Sequence, residues 1–191
     1  MKAENKNNYV LVLASGGIDS TACINFYRNL QFEVDALFVD YGQLSRKLEF
    51  QAVSLIVKYF KINLITINVT MDKRFNIGCI PGRNAFLCSV ALMNFKKENG
   101  IIAIGIHNGT AYYDCSEGFS KQIQMIFDGY SQGAIKIGTP FLNFNKREIF
   151  DYCTYEKVPI HLSYSCELGL RQPCGICLTC KDLQKLYASE K

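Results

Sequence analysis

The feature that most constrains this chain is an apolar run that leads directly into a glycine turn. The run Tyr9-Val10-Leu11-Val12-Leu13 predicts a buried strand, and Ser15-Gly16-Gly17-Ile18-Asp19-Ser20 follows it. Adjacent glycines favour a tight turn, and Ser20 and Thr21 are good N-cap residues for a helix over 21–30. Such a turn places free backbone N–H groups at the positive end of a helix dipole, which predicts an anion site that fits a phosphate. Glycines that only close a strand–helix corner remain the alternative.

Apolar runs and helical patterns alternate along the rest of the chain. Strands are predicted at 9–13, 34–39, 62–67, 101–106 and about 135–138, and helices at 21–30, 46–60, 84–98, 117–131, 145–156 and 178–188. This alternation predicts an α/β fold with a doubly wound parallel sheet and right-handed crossovers. Capping-box patterns at Asp114-x-x-Glu117 and Asn145-x-x-Glu148 mark two helix starts. We expect a sheet domain over 9–160 and a small segment over 161–191 packed on it.

Four cysteines stand close together near the end of the sequence, as Cys166-x7-Cys174-Gly175-x-Cys177-x2-Cys180. The two-residue gaps are those of zinc knuckles and let the sulfurs face one tetrahedral ion. Disulfides are the alternative, but they need an oxidising compartment, and the first residues do not resemble a signal peptide. We therefore expect a structural Zn²⁺ held by all four thiolates. The other cysteines are expected to be mostly small buried apolar residues: Cys23, Cys79, Cys88, Cys115 and Cys153.

The SGGIDS turn resembles the PP-loop of ATP pyrophosphatases, and together with the cysteine pattern it resembles the 7-cyano-7-deazaguanine synthase family. Further segments carry the resemblance: Asp40-Tyr41-Gly42-Gln43, then Ile80-Pro81-Gly82-Arg83-Asn84, and Thr139-Pro140 with Asn145-Lys146-Arg147-Glu148-Ile149. The likeness implies the adenine-nucleotide alpha-hydrolase-like (PP-loop) fold with a small zinc-binding segment. It also implies an ATP- and Mg²⁺-dependent ligase that adenylates 7-carboxy-7-deazaguanine, releases pyrophosphate and uses ammonia to form the nitrile. Members of the family are often homodimers.

The glycine turn and the segments after the strands supply the candidate site residues. Loop amides and serine hydroxyls can hold phosphates, Asp19 either binds Mg²⁺ or is only favoured by the helix dipole, and Arg83 is either a cationic clamp or a surface residue. The expected catalytic residues are Asp19, Arg83 and Asp114. The expected ATP-binding residues are Ala14, Ser15, Gly16, Gly17, Ile18, Asp19, Ser20, Thr21, Val39 and Asp40. The expected substrate-binding residues are Tyr41, Gln43, Arg83, Asn84, Tyr113 and Asp114.

Two segments depart from the family pattern and leave the acceptor open. The family's SGYPDCR-like segment stands here as Ala111-Tyr112-Tyr113-Asp114-Cys115-Ser116, and the link from Asn68 to Ile80 is short. Asp114 either recognises a guanine-like edge or caps a helix, and Cys115 is either a nucleophile or an inert buried thiol. A synthase-like enzyme that acts on another acceptor, such as a partner protein in a defence system, is one alternative. A PP-loop tRNA-modifying enzyme and a nucleotide sensor without turnover are the others.

Composition narrows the class of protein further. A chain of 191 residues with 49% hydrophobic and 20% charged residues forms a domain with a sizeable core. The net charge of +4 is too small to indicate nucleic-acid binding, and no apolar stretch approaches the roughly 20 residues of a membrane span. Nine cysteines without a secretion signal favour a reducing cytoplasm. We therefore expect a cytoplasmic enzyme with a small-molecule substrate.

Overall fold

The computed structural model describes residues 8–69, 78 and 80–188, and its elements alternate between strands and helices. In chain order they are β1 (Tyr9–Leu13), α1 (Ile18–Asn29), β2 (Glu33–Asp40), α2 (Arg46–Phe60), β3 (Asn63–Asn68), α3 (Arg83–Met93), β4 (Gly100–Ile104), α4 (Glu117–Ser131), β5 (Ile135–Gly138), α5 (Lys146–Tyr155) and α6 (Leu178–Ala188). Short 3₁₀ turns lie at Tyr113–Cys115 and Ile160–Leu162. Cys79 and most of the link between Asn68 and Ile80 lie outside the described residues.

The five strands form one parallel sheet in the order β3-β2-β1-β4-β5. Because β1 alternates its side chains, Val10 and Val12 join the core beneath α1, α2 and α5, while Leu11 and Leu13 join the core beneath α3 and α4. Helices therefore cover both faces, and the predicted doubly wound sheet is confirmed. The strand order reverses between β1 and β4, which is where such sheets bind ligands.

Helix α1 begins three residues earlier than the sequence predicted. Gly17 is its N-cap, and the hydroxyls of Ser20 and Thr21 donate to the Gly17 carbonyl over 3.0 and 2.8 Å. Ser20 and Thr21 are thus first-turn residues, and assigning them as caps was wrong. The earlier start has a consequence for the site because it places Asp19 in the first turn, with its backbone N–H at the positive helix end.

The two capping-box predictions have different outcomes: the one at α4 is wrong and the one at α5 is confirmed. Ser116, not Asp114, caps α4, because its hydroxyl accepts from Phe119 N–H at 3.1 Å. The capping box of α5 is confirmed: Asn145 Oδ1 accepts from Glu148 N–H at 3.0 Å, and Glu148 Oε2 accepts from Asn145 N–H at 2.7 Å. Asp114 does not cap a helix and lies in the 3₁₀ turn Tyr113–Cys115.

Residues after α5 return to the body of the sheet domain. Leu186 of α6 is buried in the same core as α1 and α5, and Tyr164 packs at its margin. Within residues 8–69, 78 and 80–188, the helices are all too short or too polar to cross a membrane.

Candidate active site and metal centre

A cleft of about 320 Å³ lies at the carboxyl edge of the sheet, where the loops after β1 and β4 diverge. Gly105, just after β4, faces the first turn of α1: a Cβ at this position would lie 2.8 Å from the Asp19 carbonyl carbon. Only glycine lets α1 approach β4 so closely. The start of α1 therefore points into the switch point of the sheet, as the parallel α/β topology favours.

The glycine turn, residues 15–20, forms an anion-binding corner of this cleft, which we call the phosphate corner. Gly16 has φ +78°, and a Cβ there would lie 2.8 Å from the Glu49 carbonyl oxygen, so a larger residue does not fit without strain. Ser15 Oγ accepts from Gly17 N–H at 3.4 Å and lies 3.4 Å from Ser20 Oγ. The first N–H groups of α1 have no acceptor inside the helix. Hydroxyls and N–H groups thus converge where a phosphate group can accept from them.

Asp19 is paired with a cation that the sequence analysis did not select. Lys146 Nζ, at the start of α5, donates to Asp19 Oδ1 at 2.6 Å and to Oδ2 at 2.7 Å. These two residues are 127 positions apart, and each side chain is about one-fifth exposed (19% for Lys146 and 22% for Asp19). The segment containing Lys146 carried family resemblance, but no local pattern distinguished this lysine from a surface lysine. The pair leaves a carboxylate and an ammonium side by side at the phosphate corner.

His107, just after β4, completes this polar cluster as a neutral ring. Its Nε2 lies 3.9 Å from Asp19 Oδ2, and its Nδ1 accepts from Gly109 N–H at 3.1 Å. Burial lowers the pKa of His107; the Asp19 carboxylate opposes that shift, and the Lys146 ammonium adds to it. A ring whose Nδ1 accepts a hydrogen bond carries its proton on Nε2, facing Asp19.

The turn after β2 is held by a buried hydrogen-bond network. Gln43 Oε1 accepts from Tyr41 N–H at 3.0 Å, and its Nε2 donates to Val39 O at 3.2 Å and to Glu49 Oε2 at 2.9 Å. Ser45 Oγ donates to Glu49 Oε1 at 2.7 Å. Burial raises the pKa of Glu49, while these hydrogen bonds oppose the shift. Gln43 therefore shapes the cleft wall, and Glu49 adds an acidic group that the sequence analysis missed.

Arg83, Asn84 and Asp114 meet on the opposite side of the cleft. Arg83 Nε donates to Asn84 Oδ1 at 3.3 Å, and Asn84 Nδ2 donates to the Asp114 carbonyl at 3.3 Å. Burial raises the pKa of Tyr41, and the Arg83 guanidinium, a hydrogen-bond partner of Tyr41, opposes it. Burial also raises the pKa of the half-buried Cys115, which favours the thiol over the nucleophilic thiolate.

Most of the sequence-selected site residues line this cleft. Those that do are Ala14, Ser15, Gly17, Ile18, Asp19, Ser20, Val39, Tyr41, Gln43, Arg83, Asn84 and Asp114. Gly16 and Thr21 support the loop from behind, since Thr21 is fully buried. Asp40 points away: its Oδ1 accepts from Gly42 N–H at 2.9 Å, and Oδ2 lies 3.7 Å from Arg46 Nε. Tyr112 lines the cleft where Tyr113 was expected, and Tyr113 is 66% exposed.

The four cysteines near the C-terminus converge on one point, and the prediction that they share a site is confirmed. The sulfurs of Cys166, Cys174, Cys177 and Cys180 all lie within 4.8 Å of one another. Cys174 Sγ and Cys180 Sγ are 3.8 Å apart. Four sulfurs at about 2.3 Å from a tetrahedral Zn²⁺ are about 3.8 Å from each other, so the spacing fits a single ion.

Backbone N–H groups around the cysteines favour the thiolates that a metal requires. Burial acts to raise the pKa of Cys166, but N–H groups of Cys174, Leu170 and Leu168 outweigh it and lower the pKa to about 6. N–H groups of Cys177 and Ile176 lower the pKa of Cys174 as well. The backbone hydrogen bond to Cys180 is too weak to offset its burial, which raises its pKa to about 12. A bound cation would stabilise the Cys180 thiolate and so lower this pKa.

Comparison with known families gives a match along nearly the whole chain. The family described as queuosine biosynthesis protein QueC matches residues 9–79 and 69–190. A 7-cyano-7-deazaguanine synthase of Prochlorococcus marinus (strain MIT 9215) is 30% identical, covering 95% of this chain and 94% of its own length. Proteins of the same name from Campylobacter jejuni and Acetivibrio thermocellus are 31% and 30% identical, covering 95% and 89% of this chain and 93% and 88% of their own lengths.

Solved structures support the fold class. A predicted tRNA methyltransferase subunit from Methanocaldococcus jannaschii has a TM-score of 0.53 at 14% identity, covering 77% of this chain and 74% of its own. The U34-tRNA thiolase NcsA of Methanococcus maripaludis, solved with its [4Fe-4S] cluster, has a TM-score of 0.54 at 15% identity, covering 96% of this chain and 66% of its own. At such identities the likeness concerns the fold, and it confirms the predicted PP-loop type.

The comparison also shows that this chain is shorter than a relative. The alignment with the Prochlorococcus protein extends over 212 residues, whereas this chain has 191, so that relative carries at least 21 residues without a counterpart here. The family match breaks into two parts that overlap at 69–79. This break coincides with the link from Asn68 to Ile80 that the sequence analysis identified as short.

Proposed function

The chain belongs to the family described as queuosine biosynthesis protein QueC, an enzyme family, and on that premise we propose that it converts 7-carboxy-7-deazaguanine and ammonia to 7-cyano-7-deazaguanine at the expense of ATP. The observation that carries the proposal is the position of the glycine turn. It opens α1 at the switch point of the sheet, next to the Asp19–Lys146 pair, inside the cleft at the carboxyl edge of the strands.

The phosphate corner binds the triphosphate of ATP. N–H groups at the start of α1 and the hydroxyls of Ser15 and Ser20 donate to phosphate oxygens, and strand-end backbone near Val39 contacts adenine. Lys146 moves from Asp19 toward the phosphates, where its ammonium offsets the charge that builds on the leaving pyrophosphate. Asp19 would then hold Mg²⁺, which would neutralise phosphate charge and which commonly uses one or two carboxylates together with substrate phosphates.

The side of the cleft formed by Arg83, Asn84 and Asp114 binds the acceptor. Arg83 fixes the substrate carboxylate and Asp114 accepts from the guanine-like N–H groups. The carboxylate oxygen attacks the α-phosphorus, the bond to pyrophosphate breaks, and ammonia then displaces AMP to give the amide. In a second round the amide oxygen attacks ATP in the same way, and loss of AMP and two protons leaves the nitrile.

The four-cysteine centre holds Zn²⁺ in a structural role. Four sulfur ligands leave no open coordination position, so the ion organises residues 166–180 and takes no part in the chemistry. A [4Fe-4S] cluster, as in the solved thiolase, is the other occupant to test. Metal analysis of the purified protein, together with an absorption spectrum, separates the two because Zn²⁺ is colourless.

The test of the proposed function follows base and nucleotide by mass spectrometry in ATP, Mg²⁺, ammonium and 7-carboxy-7-deazaguanine. We expect nitrile and AMP, with two AMP per nitrile, and loss of both in Asp19→Asn. Asp128→Asn is the matched control, because Asp128 pairs with Lys136 at the start of β5, at the edge of the sheet opposite the cleft. Nucleotide binding without nitrile or amide would overturn the assigned acceptor. AMP release that depends on an added protein would instead support the alternative in which a partner protein is the acceptor.

A further inference from the structure

The stretch of chain around Cys166 contacts three of the segments that form the cleft. Tyr164 N–H donates to the Gly16 carbonyl at 2.8 Å, in the loop after β1. Gly169 lies so close to the Leu44 carbonyl, in the turn after β2, that a side chain would not fit between them. Glu167 Oε2 accepts from Gly78 N–H at 3.0 Å, in the link before α3. Residues 164–169, which we call the support stretch, thus form one wall of the site.

Glu167 also ties the support stretch to the remaining cysteines. Its Oε1 accepts from Thr179 Oγ1 at 2.7 Å and from Thr179 N–H at 3.3 Å. Thr179 lies between Cys177 and Cys180, at the start of α6. One carboxylate therefore connects Gly78, the support stretch and the segment 174–180.

A metal ion would add a much stronger connection at the same place. Of the four ligands, Cys166 belongs to the support stretch, and the other three belong to the segment 174–180. Bonds from one ion to both parts cross-link them. Without the ion the connection depends on Glu167, on the hydrogen bond from Cys174 N–H to the Cys166 sulfur, and on packing of Tyr164 and Leu168. Fewer contacts would then hold the support stretch in place, and with it the Tyr164 N–H that donates to the carbonyl of Gly16, a residue held at φ +78°.

We propose that metal binding at the four cysteines positions the phosphate corner through Tyr164 and Glu167 and thereby raises the affinity for ATP. This inference rests on the proposed function, since it requires ATP in the loop. Coupling between two sites is reciprocal, so ATP raises metal affinity by the same factor. Glu167 is a positioning residue that acts through Gly78 and Thr179. Typical coupling corresponds to about 5- to 150-fold in affinity.

The test measures MgATP binding by titration calorimetry on the 191-residue chain, either loaded with Zn²⁺ or stripped of metal by a chelator. Glu167→Gln replaces one acceptor oxygen with a donor NH₂ that faces another N–H donor. Glu98→Gln is the matched control, because Glu98 is exposed just before β4, at the opposite edge of the sheet. We expect metal-loaded wild type and Glu98→Gln to bind ATP at least about fivefold more tightly than the stripped forms. Glu167→Gln keeps its metal but loses most of that ratio.

The dissociation constants decide between the possible outcomes. Equal ATP affinity in loaded and stripped wild type, with the fold intact by circular dichroism, overturns the inference and leaves the proposed function standing. If the stripped protein unfolds, competition with a chromophoric chelator measures metal affinity with and without ATP. A ratio of one there, or unchanged ATP affinity in loaded Glu167→Gln, also overturns it. Failure of loaded wild type to bind ATP overturns the proposed function together with the inference.

Discussion

Removing the Lys146 ammonium should destabilise the folded protein and should do so mainly through Asp19. The ammonium lies 2.6 and 2.7 Å from the two carboxylate oxygens, with the side chains 19% and 22% exposed. At 2.6 Å and an effective dielectric constant of about 20, the Coulomb attraction is roughly 6 kcal/mol, most of which is offset by desolvation of the two groups. Hydrogen bonds to charged groups retain about 1.5–3 kcal/mol net, so Lys146→Met should cost about 2 kcal/mol.

A double-mutant cycle measures this coupling by urea unfolding. Single substitutions Lys146→Met and Asp19→Asn each leave one uncompensated group, whereas the double variant removes both charges. We expect the double variant to lose less free energy of unfolding than the two single variants lose together, by at least about 1 kcal/mol. Lys146→Met alone should lower the melting temperature by about 4–8 °C for a chain of this size. Additivity to within about 0.5 kcal/mol would refute the pairing argument.

Three further predictions concern the loop, the buried acid and the metal centre. Gly16→Ala should cost at least about 1 kcal/mol more than Gly42→Ala, since both have positive φ but only Gly16 meets the Glu49 carbonyl; equal losses in thermal unfolding would contradict this. Burial raises the pKa of Glu49 above its ordinary 4.5, so its favourable contribution is complete below pH 4.5 and is lost as pH rises through the folded-state pKa. Glu49→Gln should therefore raise the melting temperature at pH 7, by an amount that shrinks toward pH 4, and a difference independent of pH would count against burial as the cause. Cys177→Ser removes one of four ligands and should lower both metal content and melting temperature; a variant with full metal content would exclude Cys177 as a ligand.

The glycine turn between β1 and α1 was predictable from sequence because its parts are local. A strand, two glycines and a helix start lie within about a dozen consecutive residues, and the conformations that glycine permits set the turn. The capping box at Asn145 was predictable for the same reason. The start of α1 was misplaced by three residues because Ser20 and Thr21 satisfy Gly17 from inside the helix, a choice that local pattern does not distinguish.

The polar partners of the site were not predictable, because they come from distant positions. Lys146 reaches Asp19 across 127 residues only after α5 packs against α1. Glu49 becomes a cleft residue because Gly16 packs on the first turn of α2, and the Glu49 side chain looks like an ordinary helix-surface acid in the sequence. Asp40 shows the converse: it ends a strand as expected, but a turn N–H and Arg46 hold it away from the cleft.

Sequence by itself determined the α/β class, the glycine turn and the cysteine spacing, because periodicity, glycine conformation and ligand spacing act over a few residues. Tertiary structure decided which charges meet at that turn and what stands behind it. Order β3-β2-β1-β4-β5 creates the switch point, and packing of the chain after α5 brings both Lys146 and the support stretch to it. These contacts depend on long-range burial of apolar faces, which fixes neighbours that no local pattern records.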